Sequence, residues 1–520
     1  MKRTMRYSVN GKQVERVINY IPVRYIFAVL ITLLEVLAMI GTVVLCCYYI
    51  PYFYLAAFAT EVFCVIRIIA SDDNPDYKIP WLLFVLILPI AGFMLYFIFY
   101  SRKLQKKFIR RLEELRRITY PEESDALLSE LSASDPQAHG EAAMLCRIAD
   151  AHVFKNTSTT YYPLGEEMHA ALLRDLENAQ SFVYMEYFII EEGEFWGSIL
   201  NILKKKAAAG LDVRVLYDDI GCMSTLPGNY AKRLAADGIR ATPFSRLRGN
   251  ADSEFNNRSH RKITVIDGRI GYTGGVNIAD EYINRVERFG HWKDVGLRLE
   301  GEGVRELCRL FLIDYGLNVR MLPETTVDPF PRVESRGRGY VIPFGDGPRP
   351  LYKRRVAQSL ISTMLADARS YAWITTPYLI IDNGLCQDLE TAALRGVDVR
   401  LVLPHIPDKK MVFEMTRSFY PRLLSAGVRI FEYEPGFVHA KTYLFDDRIA
   451  MVGTVNLDYR SLVHHFENGV WMLDTDCIGD IRRDLDDTIS RSIEVTAADI
   501  RTSIPKRMFR AVVRIFAPLL

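Results

Sequence analysis

The chain has 520 residues, 49% of them hydrophobic, and a formal net charge of only +2. At ~100–200 residues per domain this length allows about three to four units, with enough apolar material for a large core. The near-balanced charge removes any global electrostatic case for nucleic acid. Eight cysteines without a CxxC pair are poor material for a zinc site or a disulfide framework, so they are expected to be reduced and mostly buried.

Three apolar stretches open the chain, at roughly 25–47, 50–70 and 79–100. Each approaches the ~20 residues of a bilayer-spanning helix, and a cleaved signal peptide would be one shorter segment. Glu35, Glu61 and Arg67 interrupt the first two. Basic residues crowd both flanks, from Lys2 to Arg24 and from Arg102 to Arg117. The positive-inside rule wants both flanks in the cytoplasm, which three full crossings cannot provide. Residues 1–100 are therefore expected to form a membrane region of two or three transmembrane helices. Two real crossings and a cytoplasmic body are the favoured arrangement.

Residues 101–149 read as a basic, amphipathic juxtamembrane linker, with Leu104, Phe108, Ile109, Leu112 and Leu115 at helical spacing. At the C-terminus, 505–520, Phe509, Val512, Val513 and Phe516 share one helical face and Lys506, Arg510 and Arg514 another. Both patterns suit a helix on an anionic membrane surface, and equally an amphipathic helix packed on the protein.

From about residue 150 strands and helices alternate, and the order repeats. SFVYMEYFII (181–190), a helix and LDVRVLY in the first half match YAWITTPYLII, a helix and GVDVRLVLP in the second. This predicts an α/β fold of two duplicated α/β/α domains, 150–322 and 351–504, forming a pseudo-dimer within one chain. The Pro- and Gly-rich segment 323–350 is the expected linker.

The strongest motif sits at the same place in each half: HRKITVIDGRIGYTGGVN at 260–277 and HAKTYLFDDRIAMVGTVN at 439–456. A lone HxK is noise; the full pattern twice in a duplicated body is specific. His260 and Lys262 are i and i+2 on a strand and share a face, as do His439 and Lys441. Brought together about a pseudo-twofold axis, one imidazole can attack phosphorus while the other protonates the leaving oxygen and deprotonates the acceptor. Lys262 and Lys441, with Asn277 and Asn456 as further donors, face the non-bridging oxygens. Asp267 and Asp446 complete the motifs and are expected to brace the strand-to-turn geometry. Asp294 and Glu467 are candidates to orient the imidazoles, each assigned by order and spacing to the histidine of its own half. Glu186 and Tyr187 either line the pocket or simply pack their strand. His464 and His465 beside Glu467 hint at a metal. Neighbours on a strand point to opposite faces, however, and no second cluster supports them, so no metal and no other cofactor is expected.

With these residues in view, the chain resembles the phospholipase D superfamily, and within it the bacterial cardiolipin synthases. NRSHRKITVIDG, GFVHAKTYLFDD and NLDYRSLVHHFENG carry the resemblance, with IPWLLFVLILPIAGFMLYFIFYSRK in the membrane region. Ser259 and the His464–His465 pair depart from the usual pattern. The resemblance implies a transferase of the bacterial cell membrane that makes cardiolipin and glycerol from two phosphatidylglycerols through a phosphohistidine. It places the nucleophile at His260 and the acid/base at His439, and pseudo-symmetry admits the reverse. It implies phosphatidylglycerol and anionic lipid as partners, no nucleic acid, and no metal or nucleotide. The alternatives are a phospholipase D-type hydrolase, a phosphatidyltransferase with another acceptor alcohol, or a scaffold with a degenerate site.

Overall fold

The computed structural model describes residues 3–9, 12–18, 23–49, 53–97, 106–120, 124–246, 257–319, 327–349 and 351–519. An antiparallel hairpin, β1 (Arg3–Val9) and β2 (Lys12–Ile18), precedes helix α1 (Val23–Tyr49). Within α1, Val29–Tyr48 is the one segment among the described residues long and apolar enough to cross a membrane, and it is not covered by the rest of the protein. Helix α2 (Phe53–Ile69) is apolar but only 17 residues long.

The third apolar stretch is not one helix. It splits into α3 (Pro75–Ile87) and α4 (Pro89–Leu95), with Leu88 in a non-helical conformation between them. Pro89 has no N–H to continue the helix and disfavours helical geometry in the residue before it. The two short helices fold back on α2 and bury Ile68, Tyr77, Trp81, Val85 and Tyr96 among themselves. Thirteen residues of helix reach only about 20 Å, short of a ~30 Å hydrocarbon core. Of the two or three crossings expected, the third stretch is therefore not one spanning helix.

The segment 101–149 is also not a free linker. Helix α5 (Lys106–Leu115) buries Leu112 and Leu115 in the protein core beside the helix Val304–Asn318. Arg116 donates to the Leu351 carbonyl at 2.6 Å and lies over the Tyr352 ring. A buried leucine side chain contributes about 2 kcal/mol. This face is therefore committed to the protein and not to a membrane surface. Leu104 lies outside the described residues. Helices α6 (Ser124–Ser134) and α7 (Pro136–Ala149) place Leu131, Ala138, Ala142 and Leu145 in the core of the second half, and the Trp471 indole donates to Glu141 at 2.8 Å.

The first half contributes β3 (Thr157–Tyr162), β4 (Phe182–Tyr187), β5 (Asp212–Asp218), β6 (Arg240–Phe244), β7 (Lys262–Ile266), β8 (Ile270–Gly274), β9 (His291–Lys293) and β10 (Gly296–Gly301). The second contributes β11 (Tyr340–Asp346), β12 (Tyr371–Thr375), the two-residue β13 (Leu379–Ile380), β14 (Asp398–Pro404), β15 (Arg429–Tyr433), β16 (Gly436–Val438), β17 (Thr442–Phe445), β18 (Ile449–Gly453), β19 (Leu457–Asp458), β20 (Glu467–Leu473) and β21 (Ser492–Glu494). The sheets run β3-β10-β8-β7-β4-β5-β6 and β11-β20-β18-β17-β12-β14-β15-β21, the same order twice with β21 added at one edge of the second. In each, three strands are parallel and the motif hairpin, β7–β8 or β17–β18, joins them antiparallel. The central strands have both faces buried, which explains their unbroken apolar runs. One boundary moves: β11 pairs with β20 along its whole length, so the second half begins by Tyr340, inside the segment expected as linker.

Besides a bridge between Phe154 and Val341, two short pairings join the halves. β16 runs parallel to β9, and Ser259 bridges to Phe466. Both involve the residues just before a motif histidine.

Candidate active site

The interdomain pairings deliver each imidazole across the pseudo-dimer. His260 N–H donates to the Phe466 carbonyl at 2.8 Å, and Phe466 N–H to the Arg258 carbonyl at 2.9 Å. His439 N–H donates to the Lys293 carbonyl at 2.7 Å. Phe466 stands directly before Glu467, and Lys293 directly before Asp294. The outcome is crossed: His260 Nδ1 lies 3.0 Å from both carboxylate oxygens of Glu467, and His439 Nδ1 lies 2.6 Å from Asp294 Oδ2. The expected assignment of each acid to its own half's histidine is therefore corrected. Spacing along one chain carries no information about which half's strand end meets which histidine.

Lys262 donates to the His260 carbonyl at 2.7 Å. Lys441 reaches the His439 carbonyl and lies 2.9 Å from His439 Nδ1. All six groups are buried. Burial, then the charges of Lys262 and Lys441, holds His260 well below the usual imidazole range. Burial, then Lys441, lowers His439 to about 4 against the opposing pull of Asp294. Burial lowers Lys262 to about 7 and Lys441 to about 8.

The two acids differ. Burial lifts Glu467 to about 7 despite Lys262 and the hydroxyls of Ser461 and Thr454, which both donate to it. Burial also pushes Asp294 up, but His439 and Lys441 outweigh it and hold the acid below its ordinary value. Two neutral imidazoles, each with Nδ1 held by an acid, present Nε2 for chemistry. Beside them are two lysines able to meet an anion.

Asp267 and Asp446 stand at the hairpin turns with φ of 54° and 53°. Asp267 accepts the backbone N–H groups of Gln180, Ser181 and Phe182, and Asp446 those of Arg369, Ser370 and Tyr371, at 2.7–2.9 Å. These carboxylates lock the motif strand to β4 or β12. Asn277 spans the Ile189 N–H at 3.1 Å and the Tyr282 hydroxyl at 2.9 Å. Asn456 donates to Asp458 at 3.2 Å. Its buried Oδ1 meets no protein donor among the described residues.

Glu186 is fully buried and accepts from Ser259 at 2.5 Å, and the Tyr187 hydroxyl meets Thr264 at 2.8 Å. Both brace the strand, and Glu186 does so through the residue just before His260. His464 and His465 point apart: His464 faces Tyr77 of α3 at 5.8 Å between ring centroids, while His465 lies 5.6 Å from His260. Where no second cluster was expected to support the pair, the motif histidine does: His260, His465 and Glu467 hold potential ligand atoms within 4.8 Å of one another. Lys262 and Lys441 oppose a cation there, and Glu467 is already engaged by three donors.

Sequence reasoning missed Ser461, which supports Glu467, and the rings around the histidines: Phe188 at 5.2 Å from His260, Tyr282 at 5.4 Å and Trp292 at 5.6 Å from His439. Only the fold brings them together. Gly275 is a further element, since a Cβ there would overlap the Asp294 carboxylate. Gly275→Ala should fold yet displace Asp294 from His439 and cost about 10²-fold or more in turnover. A steady-state rate at the wild-type level would show that Asp294 yields without loss.

Two like-ordered sheets that share one pair of acid-held imidazoles and two lysines define a phospholipase D-type body. A family model described as the cardiolipin synthase, PLD-like domain matches residues 172–287 and 361–489, and a phospholipase D-nuclease N-terminal model matches 62–99. The chain is 34% identical to a cardiolipin synthase of Geobacillus thermodenitrificans over 90% of its own length and 94% of that protein's. It is 41% identical to an uncharacterized protein of Streptococcus mutans over 88% and 99% of the two chains. The crystal structure of phosphatidylserine synthase from Haemophilus influenzae shares the fold at a TM-score of 0.56 and 14% identity, covering 73% of this chain and 100% of that one. The chain belongs to the bacterial cardiolipin synthases of the phospholipase D superfamily, which makes it a phosphatidyltransferase acting on phospholipids.

Proposed function

We propose that the chain joins two phosphatidylglycerols into cardiolipin at one site shared by both halves. The observation that supports this best is the crossed pairing, which makes neither half's imidazole complete without the other half's acid. His260 Nε2 attacks the phosphorus of the first phosphatidylglycerol while Glu467 steadies the imidazole through Nδ1. The bond from phosphorus to the terminal glycerol oxygen breaks, and His439, which the arriving phosphate anion favours in its protonated form, gives its Nε2 proton to the leaving glycerol. His439 then takes the proton of the second phosphatidylglycerol's terminal hydroxyl, whose oxygen attacks the phosphohistidine and frees His260. One phosphodiester is exchanged for another, so no nucleotide is consumed. Lys262 and Lys441 meet the phosphate charge, and an arriving anion favours their protonated forms. Asn277 and Asn456 shape the same face, and Asp267 and Asp446 hold the motif turns.

In the same reading α1 crosses the membrane, α2, whose 17 residues are at the short end of a spanning helix, brings the chain back, and the basic flanks keep the body on the cytoplasmic side.

Purified full-length protein in phosphatidylglycerol liposomes should release cardiolipin and glycerol in equal amounts, resolved by mass spectrometry, and should keep doing so in a chelator. Phosphatidic acid as the dominant product would show water as acceptor and replace the transferase with a hydrolase.

A further inference from the structure

Away from the paired histidines, a cavity of about 1020 Å³ opens between the start of α3, the second half and the C-terminal helix Ile504–Ile515. None of the motif histidines, their lysines or their acids lines it. One wall is apolar, with Ile79, Phe419 and Ile515; another carries Arg501, Arg507, Arg510 and Arg514. Arg510 is buried and neutralised by Glu414 at 2.8 Å. Arg514 lies over the Phe419 ring at 4.1 Å. No carboxylate pairs with Arg501, Arg507 or Arg514 among the described residues. The one lining carboxylate, Asp76, is occupied by the Asn383 N–H at 2.6 Å and the Tyr459 hydroxyl at 3.4 Å. The cavity therefore presents excess positive charge against an apolar wall.

Its surroundings select the kind of anion. The wall at 74–79 comes a few residues after apolar α2, most of whose large side chains are exposed. The C-terminal helix turns its basic face to Glu414 and leaves Ile504, Met508, Phe509 and Val512 exposed. A soluble phosphate would use the arginines and leave those side chains in water. A lipid would use both, since each basic residue near an anionic headgroup and each buried methylene add to its hold.

We propose that this cavity is a second phospholipid site, separate from the paired histidines, that holds one anionic phospholipid. Its phosphate sits at Arg501, Arg507 and Arg514, and its acyl chains lie over the outward face of the C-terminal helix. Tyr459 in the wall leads into the turn Arg460–His464, whose Ser461 donates to Glu467. The bound lipid thus abuts the segment that supports the partner of His260.

The test is photolabelling of full-length protein in nanodiscs, using phosphatidylglycerol with a diazirine in one acyl chain and mapping the labelled peptides. Label is expected on 74–79 and 500–515. Arg501→Ala with Arg507→Ala should lower it about tenfold or more, and Lys at both positions should restore most of it. His260→Ala should keep the label, so the outcome does not depend on which alcohol the enzyme accepts. Millimolar glycerol phosphate should not compete. Equal labelling by a phosphatidylcholine probe, competition by glycerol phosphate, or unchanged labelling in the double alanine variant would each overturn the proposal.

Discussion

His260→Ala and His439→Ala are each expected to remove nearly all phosphatidyl transfer, and the double variant to be scarcely slower than either. If each half worked alone, either substitution would leave about half the rate. The structure argues against that independence in the backbone pairings and the acid partners of the two imidazoles. Each follows a segment paired with the opposite half, and each Nδ1 is held by the opposite half's acid. Groups that act as one unit are strongly non-additive, with losses of about 10³-fold or more for a single removal. Both imidazoles are buried but neither fills a core, so the variants should melt near the wild-type temperature. Activity near half in either variant, read as cardiolipin formed per minute, would refute the shared site.

Much of this site was legible in the sequence because the duplication repeats it. The two motifs share one spacing, the i and i+2 positions of a strand share a face, and the alternation of strands and helices fixes the α/β class. The crossed acids were not legible. Glu467 begins β20 and Asp294 lies between β9 and β10, and only the packing of one half on the other shows that these positions face across. His465 was hidden for a similar reason: it follows the helical turn Arg460–His464 and not a strand, and nothing in the chain says that its side faces His260. The membrane region shows a third limit. Hydropathy counts residues 79–100 as one span, whereas Pro89 divides them into two short helices that pack on α2. The amphipathic pattern of α5 was visible, but which surface it covers depended on the helix Val304–Asn318 being there to receive Leu112 and Leu115.

The crossed pairing should separate the effects of the two acids in one experiment. Asp294→Asn and Glu467→Gln both keep side-chain shape, and both should lower turnover on phosphatidylglycerol by about 10²–10⁴-fold, the range spanned by general acid–base catalysis and by a misassigned tautomer. A donor whose leaving group is p-nitrophenolate changes this symmetry, because that group departs without a proton. The first step then needs only the nucleophile and its partner. With His260 as nucleophile, Glu467→Gln should lose the burst of p-nitrophenolate, since Glu467 holds His260 Nδ1. Asp294→Asn should keep a burst near one equivalent and stall afterwards, because Asp294 serves His439, which must deprotonate the acceptor. Pairing within each half would give the reverse, with Asp294→Asn losing the burst. Stopped-flow absorbance of the first turnover reads the difference directly. A burst lost in Asp294→Asn and kept in Glu467→Gln would mean either that the acids serve their own halves or that His439 is the nucleophile. Peptide mapping of the modified histidine after a cold alkaline quench, which spares the acid-labile P–N bond, then decides between those two.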